Sequence, residues 1–475
     1  MKSWSQQPAR IVVGPIASPG STGLVNLVCS LVLWLMIAVP CGAEDVATAD
    51  AAQAGRVQAA SSQPKVIPAT RVEMKGLLEG LKQRKPRIPL PPADFVSPSS
   101  RAVSATGTGA GEKGRSAATL VNNGRMREYY LPASWAQPRT GGPPQPGQPA
   151  PEMNLDYAFK TRLFWIVSRV NNCHYCLGHQ EHKLLAAGMT EDQIAALDSQ
   201  WEEFPPADRA ALEFARQLTL EPDQIGDADI EQLRLHFNDQ QIVDIVFTIA
   251  SNNSTNRWTD SLGIPQDNLF RDEPLKLDTP TSDRFRATRS KVAIELPRSR
   301  GPLPGAADVT RQVEAARNRS PRVAVSESPA EQPAWVRVLS AFPKTAEGQQ
   351  KAWKAVAAEG RIPTELKAWI RWTSARENRA TYAIAHAWRD LQALGVPSDE
   401  VFRAEQQWTS GDSGSAEALR FARKLTSHPQ QVADDDIGRL RKHFSDHEVA
   451  EIVYVICISN WFDRFTEALG LPVEP

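Results

Sequence analysis

The sequence predicts an all-α protein made of two tandem helical domains, and two observations lead to this prediction. Apolar residues recur at the helical spacing i, i+3, i+4 and i+7, most clearly over residues 242–249. The same spacing returns over residues 449–456, and neither half contains a convincing run of alternating strand residues. We therefore expect several short helices in each half of the chain.

The second half of the chain repeats the first at a constant offset of 207 residues, beginning at about residue 160. Identical residues at this offset include Trp165 and Trp372, Asn171 and Asn378, Tyr175 and Tyr382, His179 and His386, Gly188 and Gly395, Asn253 and Asn460, and Arg257 and Arg464. Because the match needs no gap, it indicates a duplicated domain rather than chance similarity. The predicted domains span residues 151–278 and 334–475.

The other parts of the chain have the composition of linkers. Residues 44–150 are rich in Ser, Ala, Gly and Pro, and we expect this low-complexity segment to be largely disordered. Short ordered islands are predicted at residues 72–82 and 125–135, where helical spacing or aromatic side chains favour packing on the domain that follows. Residues 279–333 are rich in Arg, Pro and Ser and are predicted to be a linker.

The N-terminus predicts export. Lys2 and Arg10 precede an apolar run over residues 24–39. Small residues follow this run, so residues 1–43 have the pattern of a cleaved secretory signal peptide. The mature protein would be secreted or periplasmic, with no stable membrane span. Membrane anchoring by an uncleaved signal is the alternative, although ~16 apolar residues are short for a span of ~20.

The overall charge argues against a nucleic-acid partner. The chain has 54 Lys and Arg residues against 55 Asp and Glu residues, so nothing indicates binding to nucleic acid or to an anionic membrane. Hydrophobic residues make up 41% of the chain, which is ordinary for a soluble protein. The 36 prolines and 28 glycines indicate that part of the chain is not folded.

The most distinctive chemical feature is a Cys-His-Tyr-Cys sequence at residues 173–176. The residues after it predict one helix that ends at Gly188. Asn171 or Asn172 would be the N-cap, which places Cys173 in the first turn. Cysteines three apart share a helix face, near the ~5.5–6 Å Cα separation that a disulfide favours. The partial positive charge of a helix start lowers the pKa of a thiol, so the pair suits thiolate chemistry.

Three other interpretations of the motif are available. A zinc site would need ligands from elsewhere, because Cys173 and His182 lie ~13.5 Å apart along one helix. Haem attachment needs a histidine directly after the second cysteine, where this chain has Leu177. We therefore expect no cofactor and no metal. A static disulfide in an exported protein remains the serious alternative.

Several short sequences around the motif point to one known family. They are Asn-Asn-Cys-His-Tyr-Cys, the nearby His179, the Ala-Ala-Gly-Met-Thr-Glu-Asp-Gln-Ile segment, and a later Leu-x-x-His-Phe-x-Asp sequence. Together they resemble the carboxymuconolactone decarboxylase and alkylhydroperoxidase D superfamily. The resemblance covers residues 151–270 well and residues 335–475 in outline. It implies thiol peroxidase or disulfide-reductase chemistry.

The resemblance also implies roles for individual residues. Cys176 would attack a peroxide, and Cys173 would resolve the resulting sulfenic acid as a disulfide, with His179 as the catalytic histidine. The relay glutamate of the family corresponds to Thr161 in this chain. Possible members of a proton relay are therefore His182, Glu181 and Tyr175.

These features predict an exported thiol-dependent oxidoreductase that uses a small-molecule peroxide or disulfide and an unidentified thiol reductant. The second copy has Ala380 and Ala383 in place of the cysteines and retains His386, so it should be redox-inert. The two copies are expected to pair within the chain, with homo-oligomers as a further possibility. The alternative is a non-catalytic, duplicated helical module that binds a partner or has a structural role around a static disulfide. Cofactor-free lyase chemistry is a third, weaker hypothesis.

Overall fold

The computed structural model describes residues 66–95, 121–136 and 152–474, except for residues 154, 271–272, 276, 294–299, 328, 330 and 408–410. Within these residues the chain is predominantly helical, with one short antiparallel pair of strands, β1 (Leu269–Phe270) and β2 (Glu273–Pro274). The predicted all-α fold class is therefore confirmed. The predicted signal peptide and most of the low-complexity segment lie outside the described residues.

Two helical segments precede the repeated part of the chain. They are α1 (Arg71–Leu78), continued by a 3-10 turn at Glu79–Gln83, and α2 (Asn122–Tyr130), followed by a 3-10 turn at Ala133–Trp135. Both lie where the sequence predicts ordered islands. The second segment reaches the far half of the chain, because Trp135 stacks on Tyr454 with ring centroids 5.7 Å apart.

Six helices form the first half of the repeated part. They are α3 (Tyr157–Val170), α4 (His174–Ala186), α5 (Glu191–Ser199), α6 (Pro206–Leu220), α7 (Asp227–Arg234) and α8 (Asp239–Ser261). A capping box begins α8, in which Asn238 Oδ1 accepts from the Gln241 N–H (2.9 Å) and Gln241 Oε1 accepts from the Asn238 N–H (3.0 Å). Helix α8 packs against α3, α4 and α6 and so organises this half.

The segment predicted to be a linker contains helices. It contains α9 (Asp283–Arg286) and α10 (Ala306–Arg317), and two more helices, α11 (Ala334–Arg337) and α12 (Pro343–Ala358), follow at the start of residues 334–475. Helix α10 is mostly polar but buries Val309 and Ala316, which lie two turns apart on one face. These two residues dock α10 on the second half of the chain, so residues 279–333 are more than a spacer.

The second half repeats the order of the six helices. They are α13 (Thr364–Asn378), α14 (Thr381–Ala393), α15 (Ser398–Gln407), α16 (Gly414–Ser427), α17 (Asp434–Leu440) and α18 (Asp446–Ala468). Buried contacts repeat as well. Asn171 Nδ2 donates to Asn253 Oδ1 (3.0 Å), and Asn378 Nδ2 donates to Asn460 Oδ1 (3.2 Å). The repeated sequence therefore produces a repeated arrangement of helices and polar contacts.

The two longest helices, α8 and α18, each have 23 residues and pack against each other. Phe247 of α8 meets Trp461 and Phe465 of α18 edge to face, with ring centroids 5.8 and 5.9 Å apart. All three side chains are buried. This aromatic cluster holds the two halves together through apolar contact.

A reciprocal pair of arginines also joins the two halves. Arg257 of α8 donates from Nη2 to the Thr426 carbonyl (2.9 Å), in the last turn of α16. Arg464 of α18 donates from Nη2 to the Thr219 carbonyl (3.1 Å), in the last turn of α6. Each arginine thus caps the C-terminal end of a helix in the opposite half, where helix carbonyls lack partners and favour a positive charge.

The turn between α3 and α4 positions the cysteines. Asn172 adopts a left-handed conformation (φ 54°), as does Arg379 in the second half (φ 53°). Asparagine enters this region more readily than most residues, because its short side chain can form local hydrogen bonds. Helix α4 then begins with Cys173 as its N-cap, so the predicted asparagine N-cap is wrong. The predicted end at Gly188 is confirmed by a left-handed φ of 87° just after the helix.

A buried ion pair anchors α1 to α4. The guanidinium of Arg71 contacts both carboxylate oxygens of Glu181, at 3.1 and 2.7 Å, and Trp165 Nε1 donates to the same carboxylate (2.6 Å). Burial alone would raise the pKa of Glu181, but the charge and hydrogen bonds of Arg71 outweigh it and hold that pKa below its ordinary value. Glu181 is therefore ionised, and this part of the attachment weakens only as the pH falls through the lowered pKa.

Replacing Glu181 by Gln should lower the free energy of unfolding by about 2–3 kcal/mol, because the buried Arg71 loses one of its two carboxylate partners and keeps only Glu191 (2.7 Å). Urea denaturation at neutral pH measures this change. Asp283→Asn is the control, since Asp283 is 94% exposed and its pair with Arg286 should contribute only about 0–1 kcal/mol. Equal losses in the two variants would contradict the anchoring role.

Candidate active site

Two thiols lie together at the start of α4. Cys173 and Cys176 are free and buried, with 0% and 2% of their surface exposed. Their sulfur atoms lie 3.2 and 3.3 Å from the same atom, Oγ1 of Thr259 on α8. The Thr259 hydroxyl donates to the Thr255 carbonyl (3.1 Å), so its oxygen can accept from a thiol S–H. One hydroxyl on the central helix thus holds both sulfurs on one side of the α4 start.

The environment of Cys176 favours the neutral thiol. Burial, followed by the hydrogen bond and charge of Cys173, raises the pKa of Cys176 well above its ordinary value. Hydrogen bonds with Thr259 and Asn256 act in the opposite direction but are outweighed. The expectation of a lowered thiol pKa at the helix start is therefore wrong for Cys176, because burial outweighs the helix dipole.

The charge nearest to Cys173 comes from the segment before the repeats. Arg84 Nη1 lies 3.5 Å from Asp260 Oδ1, and the guanidinium is close enough to Cys173 to favour a thiolate there. Asp260 belongs to the same turn of α8 as Thr259. Sequence reasoning missed Arg84, because it lies in a segment whose composition is typical of a linker.

Residues 66–95, which we call the N-terminal cover, run over the cysteines. Asn172 Nδ2 donates to the Val66 carbonyl (3.1 Å), and the Gln266 N–H donates to the Leu81 carbonyl (3.0 Å). The Arg87 N–H donates to the carbonyl of Leu262 (2.9 Å), just after α8. The cover is therefore tied to the site by one side-chain and two backbone hydrogen bonds.

A tyrosine, a histidine and a carboxylate meet beside the thiols. Tyr175 donates from its hydroxyl to Asp267 Oδ2 (2.7 Å), and His179 Nε2 lies 3.2 Å from the same oxygen. The Asn122 N–H at the start of α2 donates to the other oxygen of Asp267 (2.7 Å). Tyr175 is close enough to Cys176 for the two groups to interact electrostatically. This cluster brings together two residues that the sequence predicts, Tyr175 and His179.

The carboxylate of this cluster was not predicted. Its position was nevertheless marked by the repeat, since Glu474 stands 207 residues after Asp267. In the second half, Tyr382 donates to Glu474 (2.5 Å) and His386 Nε2 lies 3.0 Å from it. The sequence could have revealed Asp267 because an acidic residue recurs at the offset of 207, as the tyrosine and the histidine do.

The phenol of Tyr175 is held in its protonated form. Burial, followed by the charge and hydrogen bond of Asp267, raises the pKa of Tyr175 well above its ordinary value. A Tyr175 hydroxyl that keeps its proton is a fixed donor to Asp267. It orients the carboxylate toward His179 instead of acting as a base.

The other two proposed relay residues differ in their contacts. Both oxygens of Glu181 are engaged by Arg71 and Trp165, so Glu181 anchors helices. His182 is half-buried and packs edge-on against Phe270, with ring centroids 5.4 Å apart, and His179 meets the same ring at 5.6 Å. A relay role for His182 stays a prediction.

The second half repeats the helix start that carries the site, but alanines replace the two cysteines. Ala380 is the N-cap of α14, as Cys173 is of α4, and Ala383 is buried in the first turn. The Thr381 N–H donates to Glu467 (2.8 Å), which occupies the position of Asp260.

No group of three or more His, Cys, Asp or Glu side chains among the described residues could hold a metal ion. No helix in the described ranges is long and apolar enough to cross a membrane.

Comparison with known proteins identifies one relative. The chain is 33% identical over 101 residues to YdfG of Bacillus subtilis (strain 168), an uncharacterised protein. The match covers 20% of this chain and 68% of YdfG. This chain belongs to the same family as YdfG. No family model matches the chain.

Two crystal structures of the debrominase Bmp8 are also similar to this member of the YdfG family. A cysteine-to-alanine variant of Bmp8 in complex with 2,3,4-tribromopyrrole is 22% identical, with a TM-score of 0.28, covering 35% of this chain and 83% of Bmp8. The apo debrominase is 21% identical, with a TM-score of 0.28, covering 36% of this chain and 86% of Bmp8. Each match thus extends over about a third of the chain described above.

The raised pKa of Cys176 predicts how stability varies with pH. The folded protein keeps this proton where the unfolded chain releases it, so the contribution is complete below the ordinary thiol pKa of about 8.5 and is lost as the pH rises. The loss should reach about 1.4 kcal/mol per pH unit above that value. Urea denaturation under reducing conditions at pH 7 and pH 10 measures it.

Cys176→Ala is the matched control, because the second half has Ala383 at the corresponding position. The variant should lose less stability between the two pH values than the wild type. Equal losses would show that Cys176 titrates like an exposed thiol.

Proposed function

We propose that this member of the YdfG family is a thiol-dependent oxidoreductase of the alkylhydroperoxidase D type. The observation that carries the proposal is the shared contact of both sulfurs with Thr259 Oγ1, at 3.2 and 3.3 Å. Because both sulfurs lie against one atom, a disulfide between Cys173 and Cys176 requires little movement of the backbone. The pair would cycle between dithiol and disulfide.

With a peroxide as substrate, the chemistry proceeds in three balanced steps. One thiolate takes an oxygen atom from ROOH, and with one proton the products are a sulfenic acid and the alcohol ROH. The second thiol attacks the sulfenic sulfur, forming the disulfide and water. An external dithiol then reduces the disulfide by exchange and is itself oxidised. With a disulfide as substrate, exchange with the cysteine pair replaces the first two steps: the pair is oxidised to its disulfide and the substrate leaves as two thiols.

The charge of Arg84 supports Cys173 as the first nucleophile, because it favours a thiolate there. Both thiols are buried, but at Cys176 the hydrogen bond and charge of Cys173 add to burial in raising the pKa. The family resemblance implies the opposite order, with Cys176 attacking first. Tyr175 donates to Asp267, and His179 Nε2 lies 3.2 Å from the same carboxylate oxygen, so His179 and Asp267 can carry the proton released when the second thiol reacts.

The same proposal includes the organisation of the chain. The two halves would be tandem copies of one domain, the first redox-active and the second a partner that completes the packing of α8. The reciprocal capping by Arg257 and Arg464 supports this pairing. An N-terminal signal would export the protein to a compartment where thiols oxidise, with a small-molecule substrate and a thiol reductant as its partners.

One observation favours the second candidate, a non-catalytic helical module with a static disulfide. Both thiols lie beneath the N-terminal cover and are almost completely inaccessible. A catalytic pair therefore needs the cover to move aside, whereas a structural disulfide does not. Formation of the bond without turnover would favour the module.

Variants of the two cysteines test the proposal. Peroxide consumption with a dithiol reductant should fall at least about a hundredfold in Cys173→Ser and in Cys176→Ser, since each removes one step of the cycle. Alkylation at graded pH should show that Cys173 in Cys176→Ser reacts at a lower pH than Cys176 in Cys173→Ser. The opposite order would support the assignment that the family resemblance implies.

Cys457→Ser is the control. Burial raises the pKa of Cys457 to about 12, and the thiol lies in α18 of the second half, so its loss should leave turnover unchanged. Turnover that is equal in the wild type and in both active-site variants would contradict the proposal.

A further inference from the structure

A cavity of about 290 Å³ lies between the two halves, and the reciprocal arginines Arg257 and Arg464 line it. Its wall contains residues from matching positions of both halves. Asn171 and Arg257 line it from the first half, and Asn378 and Arg464 line it from the second. This volume is at the lower end of the range of ligand pockets, so it suits a small molecule.

The charge of the cavity wall is predominantly positive. Four arginines line it against two glutamates, Glu221 and Glu377. Glu377 forms an ion pair with Arg423 (2.7 Å), and Arg300 pairs with Asp223, so these charges are balanced locally. Of the other three arginines, Arg379 donates to the backbone carbonyl of Gly301 (3.2 Å), and Arg257 and Arg464 belong to the central helices.

Arg257 and Arg464 are buried, each at most 2% exposed, and form no ion pair among the described residues. Asp463 acts on both arginines, and Asp223 acts on Arg464, through their charge alone. The acceptors of the two arginines are the neutral oxygens of the peptide backbone and of Asn253 and Asn460. The Nε of Arg464 has no hydrogen-bond partner at all within the described chain. Burying two such charges is costly without a counter-charge.

The two guanidiniums are also close enough to repel each other. Burial, followed by the charge of Arg257, lowers the pKa of Arg464. The nearby carboxylate of Asp463 is hydrogen-bonded to Asn378 (2.7 Å), and burial raises its pKa to about 7, which weakens it as a counter-charge. An external anion would supply the missing negative charge.

We propose that this cavity binds a small oxyanion that carries two negative charges, either phosphate or a short dicarboxylate. Guanidinium groups suit such ligands because their donors match pairs of oxygen atoms. Arg257 and Arg464 reach the cavity from matching positions of α8 and α18, so each can contact one side of the ligand. The Nε of Arg464, which has no partner among the described residues, is a donor that the ligand could satisfy.

Isothermal titration of the full chain with inorganic phosphate, and separately with malonate, tests the proposal. Potassium chloride at equal ionic strength is the control. Saturable binding of either anion, with a melting temperature that rises with its concentration, supports the site, because a ligand that binds only the folded state stabilises it. Binding of only one of the two identifies the oxyanion class. No saturable binding of either anion, or the same thermal shift with chloride, overturns the proposal.

Substitution at the wall makes the test specific. Arg464→Gln is the obvious variant, but it removes the cap of α6 and can unfold the protein. Ser427→Glu and Ser427→Gln differ only in charge at a half-buried position on the cavity wall. The Glu variant places a carboxylate near the arginines, so it should melt at a higher temperature than the Gln variant in the absence of anion.

The two variants should also differ in affinity. Binding of phosphate or malonate should be at least about tenfold weaker in Ser427→Glu than in Ser427→Gln, because like charges repel at close range. Equal melting temperatures together with equal affinities would overturn the proposal. These readouts do not involve the thiols, so their failure would leave the proposed redox function untouched.

Discussion

The contact between α8 and α18 is the constraint on which the rest of the structure depends. Each helix sends one buried arginine, Arg257 or Arg464, to the last turn of a helix in the opposite half. A buried guanidinium is costly without acceptors, so these contacts favour one arrangement of the two long helices. Helix α8 also carries Thr259, whose hydroxyl lies within 3.3 Å of both thiols. The position of the candidate active site therefore follows from the packing of the two halves.

Burial and charge oppose each other at the thiols. The N-terminal cover removes both cysteines from water, and this burial raises the pKa of Cys176. The same segment brings Arg84 to Cys173, where its charge favours a thiolate. The cover therefore makes the two thiols differ in their tendency to ionise, and it also blocks access to them. The contact of a tyrosine and a histidine with a carboxylate recurs in the second half at Glu474, where no cysteine is present, so part of its role is structural.

Much of this arrangement could be predicted from the sequence, because it depends on periodic patterns. Apolar spacing located the helices, and the offset of 207 residues located their counterparts. Arg84 could not be predicted, because it acts through a tertiary contact made by a chain segment without a pattern of its own. Asp267 lies in a loop after α8, where only the matching acidic residue of the second half marks it. Glu181 suggested proton transfer on the basis of its proximity in sequence, but its partner Arg71 is 110 residues away.

The reduction potential of the Cys173/Cys176 pair tests the central claim most directly. Equilibration of the full chain in dithiol redox buffers, followed by alkylation and mass spectrometry, gives the fraction of disulfide at each potential. A redox centre should equilibrate with mild dithiol reductants at a potential above about −300 mV, in the range of thiol–disulfide oxidoreductases. A potential below that value, with resistance to the same reductants, would show a static structural disulfide and contradict the account.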